Sequence, residues 1–114
     1  MHELSIAMSL LDAAAEEAER HGGARVLGIH LKVGPLSGVI KEALQSAFEL
    51  AREGSPLHEA ELVFEDVPLV GYCPACQGER GLVSVQELCC VECGSPSGQI
   101  VRGRELEVTA LEIQ

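Results

Sequence analysis

Tryptophan is absent from this 114-residue chain, and aromatic residues together make up only 3% of it. An apolar share of 46% still supports a core. That core has to be built from Leu, Val, Ile and Ala, in one ordinary domain or a small domain carrying a smaller module. Positive charge is scarce as well: two lysines, Lys32 and Lys41, and six arginines stand against 18 acidic residues, for a net charge of −10. No basic stripe is available to track a phosphate backbone, so nucleic acid is excluded as the expected partner. An acidic chain is better suited to cations or to a basic protein surface. Nowhere do about 18 apolar residues run together, and the amino terminus lacks a basic stretch leading into an apolar one. The expectation is a soluble, cytoplasmic protein with no membrane span and no secretion signal.

Cysteine, by contrast, is concentrated. Five cysteines fall at positions 73, 76, 89, 90 and 93, within 21 residues. A secreted disulfide framework is normally even in number and spread along the chain. In a reducing compartment the same thiols are expected to hold a metal. CPAC (73–76) and CVEC (90–93) are two C-x-x-C knuckles separated by 13 residues, close to the spacing of a four-thiolate zinc site. Each knuckle turns two sulfurs to one side of the backbone, and two facing knuckles complete a tetrahedron. Cys73, Cys76, Cys90 and Cys93 are therefore the expected zinc ligands. Cys89 offers a stretched alternative to Cys90, and regular knuckle spacing favours Cys90. A closed four-sulfur site leaves no place for a catalytic water, which argues against an enzyme, a zinc deaminase included. A thioredoxin-like redox motif is the competing reading of a lone C-x-x-C, weakened here by the presence of two.

Periodicity supplies the surrounding fold. Leu4, Ala7, Met8, Leu11, Ala14, Ala15 and Ala18 share one face of a helix expected from Leu4 to about His21, ended by Gly22-Gly23. RVLGIHLKVG alternates as a half-buried strand, with Leu27, Ile29, Leu31 and Val33 on its apolar face. A second helix is expected from about Gly38 to Glu53, with Ser37 as N-cap and an apolar stripe through Ile40, Ala43, Leu44, Ala47, Phe48 and Ala51. Strands follow at about Glu61–Val67 and in RELEVTALEIQ. Residues 71–98, which hold every cysteine, form a separate insertion between them. The expected architecture is thus α/β (α+β): an α/β domain at 1–70 and 99–114, and an inserted zinc-binding domain at 71–98.

The chain opens MHELS. For an arbitrary protein, His2 is best taken as part of a frayed polar terminus. Here His2 is bulky, so the start methionine is expected to stay in place. The Met1 amine, the His2 amide and the His2 imidazole can then chelate one ion through fused rings. Glu3 adds an amide nitrogen or a carboxylate oxygen. Three or four nitrogens in a plane suit Ni(II) or Cu(II) better than zinc. The other histidines carry weaker signals: His21 ends a helix, His30 lies on the polar face of a strand, and His58 sits in a loop.

MHELS, LKVGPLSGV, CPAC, CVECGSP and GRELEVTALEI together resemble the HypA/HybF nickel metallochaperones of nickel–iron hydrogenase maturation, from end to end of the chain. The resemblance implies two helices on a three-stranded sheet with an inserted small zinc-ribbon domain. It carries over His2 as principal nickel ligand, assisted by Met1 and Glu3, with Ni(II) as transient cargo. Structural Zn(II) is carried over to the four knuckle cysteines. It also implies a HypB-type maturation GTPase as partner and delivery to the hydrogenase large-subunit precursor, by a monomer or weak homodimer. Ile40 stands where many such proteins carry an acidic residue, so no carboxylate role carries over there. The competing reading is a zinc-ribbon interaction module in which His2 is incidental.

Overall fold

The computed structural model describes residues 2–114; Met1 lies outside the described residues. Two compact units make up the chain. The first comprises the chain up to Leu31, Val39–Glu65 and Glu107–Gln114; the second comprises Lys32–Gly38 and Asp66–Leu106.

In the first unit, helix α1 (Glu3–Arg20) and helix α2 (Lys41–Arg52) pack together. They accompany a three-stranded sheet of β1 (Val26–Val33), β2 (Glu61–Asp66) and β6 (Leu106–Ile113), in the order β2-β1-β6. The core is aliphatic, as the composition requires. Ala7, Leu10, Leu11, Ala14 and Ala18 of α1 are buried with Leu44 and Phe48 of α2 and with Val26, Ile29 and Leu31 of β1. The apolar stripe of α1 is rotated from its expected position. Leu10 lies inside, while Leu4 and Met8 are about half exposed, because the i, i+3, i+4 pattern that the core accepts runs through Ala7, Leu10, Leu11, Ala14 and Ala18. At the far end, Gly22 and Gly23 both take positive φ and return their amides to Glu19 and Ala18 carbonyls, which closes the helix.

Helix α2 starts later than the sequence suggests. Pro35–Ser37 form a single 3-10 turn, and Gly38 follows in the left-handed conformation at φ 82°. A helix cannot run through that residue, so Ile40 takes the N-cap position in place of Ser37, with no side-chain cap. Ile40 is correspondingly 61% exposed rather than part of the buried stripe.

In the second unit, β3 (Val70–Cys73) lies between β4 (Gly78–Gly81) and β5 (Gln99–Arg102). Both pairings are antiparallel; Cys73 stands opposite Gly78, and Tyr72 opposite Gln99. This unit is larger than the expected insertion at 71–98. Residues 99–102 form a strand with β3, so a boundary between them would cut through hydrogen-bonded partners. Lys32–Gly38 and Gly103–Leu106 also belong to it. Gly34 donates to the Glu105 carbonyl and Leu36 to that of Gly103, and a Cβ at Gly34 would overlap the Gly103 backbone.

Phe48 is fully buried and is one of only two phenylalanines in the chain. Phe48→Ala is expected to lower the unfolding free energy by about 3–5 kcal/mol, read from the urea midpoint at unchanged m-value.

Candidate metal centres

The sulfurs of Cys73, Cys76, Cys90 and Cys93 all lie within 4.8 Å of one another. Local structure explains how each arrives. Cys73 ends β3, and the Cys76 amide points back at its sulfur across 3.4 Å. Gln77, at φ 57°, then turns the chain into β4. In the second knuckle the Gly94 amide closes on the Cys90 carbonyl at 2.8 Å. Gly94 itself sits at φ 77°, the left-handed conformation that glycine adopts at least cost. The Leu82–Cys90 bridge fixes the second knuckle against the end of the first hairpin.

The shape of the cluster suits one ion. Tetrahedral thiolate coordination at about 2.3 Å per Zn–S bond places sulfurs about 3.8 Å apart. The Cys73–Cys93 and Cys76–Cys90 separations are 3.5 and 3.9 Å, far beyond a disulfide bond length. The donor set, four sulfurs with no oxygen or nitrogen, is that of a closed structural zinc site. Its protonation is uneven. Hydrogen bonds that its S–H donates to Cys93 and Cys73 push the Cys76 thiol up to about 12, while the Ser95 hydroxyl and then its amide draw the Cys93 thiol down to about 6. Cys76 and Cys93 are thus driven in opposite directions, and a bound divalent cation is what would let both be thiolates.

At the other end of the chain, His2 is exposed and occupies the N-cap position of α1. Its carbonyl accepts the Ile6 amide at 3.1 Å, and its imidazole makes no capping hydrogen bond. Glu3 is the first helical residue and half-buried. The first amides of a helix have no carbonyl one turn back to bind. Nitrogens at this position are therefore available to a ligand in a way that mid-helix amides are not. Met1 lies outside the described residues.

Comparison with known proteins bears on both sites. A family model described as "Hydrogenase/urease nickel incorporation, metallochaperone, hypA" matches residues 1–113. The chain belongs to the HypA family. It is 46% identical over 112 residues to the hydrogenase maturation factor HypA of Chloroflexus aurantiacus (strain ATCC 29366 / DSM 635 / J-10-fl), covering 98% of each chain. To the protein of the same name from Roseiflexus sp. (strain RS-1) it is 45% identical, over all of this chain and 93% of that one. Its fold matches the solution structure of the nickel metallochaperone HypA from Helicobacter pylori with a TM-score of 0.66 at 27% identity, over 99% of this chain and 97% of the other.

Within this member of the HypA family, the remaining sequence candidates are dispersed. Cys89 is half-buried, and its sulfur is not among the clustered four. His21 caps α1 and faces Glu17 across 3.4 Å. His30 meets Glu112 at 2.6 Å on the polar face of β1, and His58 is exposed. Two serines escaped sequence reasoning. Ser95 hydrogen-bonds Cys93, and Ser97 is 2% exposed and donates to the Tyr72 carbonyl. Their only signal was position, immediately after the second knuckle.

Two outcomes follow for the cluster. Cys89→Ser is expected to retain one tightly held zinc per chain and Cys90→Ser to lose it, measured by elemental analysis after dialysis against a weak chelator. Because Cys76 holds its proton at neutral pH, zinc loading at pH 7 is expected to release protons. Calorimetry in buffers of different ionisation enthalpy would show it, and a heat independent of buffer would contradict this account.

Proposed function

We propose that this protein is a non-enzymatic nickel metallochaperone. In this reading it takes Ni(II) at its amino terminus and hands it by ligand exchange to the hydrogenase large-subunit precursor. Met1, through its amine, His2, through amide and imidazole, and Glu3 form the nickel site. Cys73, Cys76, Cys90 and Cys93 hold Zn(II). The observation that carries the reading is the position of His2, exposed at the head of α1 in a chain of the HypA family.

The chemistry of that position fits a carrier. A helix amino terminus bears partial positive charge and disfavours a cation. Release of amide protons to solvent as the metal binds, together with the Glu3 carboxylate in the first turn, offsets that penalty. Ni(II) is among the few ions that support such amide coordination in a planar site. The balance favours moderate affinity, and a site at the end of the chain can be reached by a receiving protein. Zinc, when bound, supplies folding energy to a unit with little apolar core of its own. The four cysteines arrange the knuckles around it, and Ser95 orients Cys93. In this reading the nickel-binding domain is built on residues 1–70 and 99–114 and the zinc-binding one on 71–98, with strand 99–102 completing the sheet of the latter. A HypB-type GTPase is the partner in the same maturation process, in the cytoplasm, and the chain is a monomer or weak homodimer. Among the described residues no helix is long and apolar enough to cross a membrane.

Elemental analysis of three forms tests the proposal: native terminus, His2→Ala, and a Gly-Ser extension before Met1. Native protein is expected to carry one nickel beside one zinc, and both altered forms to keep zinc alone. Equal nickel in all three would remove the terminal chelate and leave the zinc-ribbon interaction module as the better account.

A further inference from the structure

The two edges of the β2-β1-β6 sheet differ. Strand β2 is six residues long and is followed within two residues by Pro68. Strand β6 is eight residues long and contains neither proline nor lysine. Among the described residues no strand pairs with its outer edge. Natural proteins usually blunt such an edge with Lys, Pro or brevity, because its free amides and carbonyls invite another strand.

Beside this edge runs a groove of about 260 Å³ between α1 and β6, lined by Leu10, Ala13, Ala14, Ile29 and Leu111, with Glu17 at its rim. The small side chains of Ala13 and Ala14 leave the space open. Val108 and Ile113 of β6 are 43% and 39% exposed. Along residues 105–114 the charge has one sign, while Lys32 and Arg102 lie outside that stretch and act on Glu105. Glu105, Glu107 and Glu112 occur within 105–114, and no Lys or Arg does. His30 engages Glu112 on the polar face of the sheet, which leaves Glu107 as the exposed carboxylate at the start of the edge.

We infer that β6 is a docking edge for an extended segment of a partner protein, one that alternates apolar and basic residues and adds as a fourth strand. Its apolar side chains enter the groove against Ala13, Ala14 and Leu111; its basic ones lie beside the glutamates on the open face. Backbone hydrogen bonds supply the affinity and the alternation supplies the selectivity. A second copy of this chain is the poorer occupant. Full antiparallel overlap of two β6 strands sets Glu107 opposite Glu112 at both ends, and like charges directly opposite are unfavourable. Two chains of charge −10 also repel.

The test uses the full-length, metal-loaded protein and a blocked heptapeptide alternating valine and lysine, with the valine–glutamate peptide as its counterpart. Binding is read by fluorescence anisotropy, and the site by amide hydrogen exchange along β6. The lysine peptide is expected to bind and to slow exchange of the β6 amides that face away from β1, and the glutamate peptide to bind about tenfold more weakly or worse. Ala13→Gln, at an exposed helical position, fills the groove and is expected to weaken the lysine peptide. Glu107→Lys is expected to narrow the gap between the two peptides. The inference is overturned by equal binding of both peptides, or by no binding at millimolar concentration. Binding that leaves β6 exchange unchanged overturns it too. So does slowed β6 exchange that appears with rising protein concentration in the absence of peptide, since that would make a second copy the occupant.

Discussion

Four sulfurs drawn within 4.8 Å of one another are the constraint around which the second unit is organised. Its strands hold four residues each, too few to stand alone as a hairpin in water. Its buried aliphatic set is short: Val33, Val67, Leu69, Val70 and Leu82. The turns beside the knuckles serve the cluster. β3 delivers Cys73, the left-handed Gln77 reverses the chain past Cys76, and Gly94 closes the second knuckle on Cys90. Such a unit has little reason to adopt this form except to bring thiolates together, and thiolates so close require a cation between them.

The two proposed metal sites follow opposite rules. The cysteine site saturates its ion with four like donors, two of them buried, and leaves no vacancy for exchange. The amino-terminal site, as proposed, would gather unlike donors from consecutive residues, at the head of α1 where the helix has not yet claimed the amides. One arrangement suits retention and the other transfer. Both sit in a chain whose surplus of carboxylates favours cations in general without choosing among them.

Part of this was legible before any fold was known. The C-x-x-C pairs are local objects whose spacing prescribes their geometry, so the sulfur cluster was readable from positions 73, 76, 90 and 93. Helix α1 and strand β1 were equally plain, because their periodicities run long and their ends carry Gly22-Gly23 and Gly34-Pro35. The failures were at places where a single conformation outweighs a pattern. Ile40 fitted the stripe of α2 by spacing, yet Gly38 at φ 82° starts the helix too late for it to be buried. Leu4 and Met8 fitted α1, yet the core accepts Leu10 instead. Residues 99–102 were placed with the first domain and not expected as a strand, since nothing local says that they pair with β3.

By itself, the sequence determined the chemistry of this protein. Donor identity and spacing are covalent properties, and neither the knuckles nor the Met-His-Glu start needs a fold to be recognised. Tertiary structure decided what those groups experience. Packing chose the buried face of α1, and strand pairing drew the boundary of the second unit around β3 and β5. The approach of Ser95 drew the Cys93 thiol below its ordinary range. The order of strands left β6 at an edge beside an open groove. These depend on which distant residues meet, and a chain read one position at a time holds no record of that.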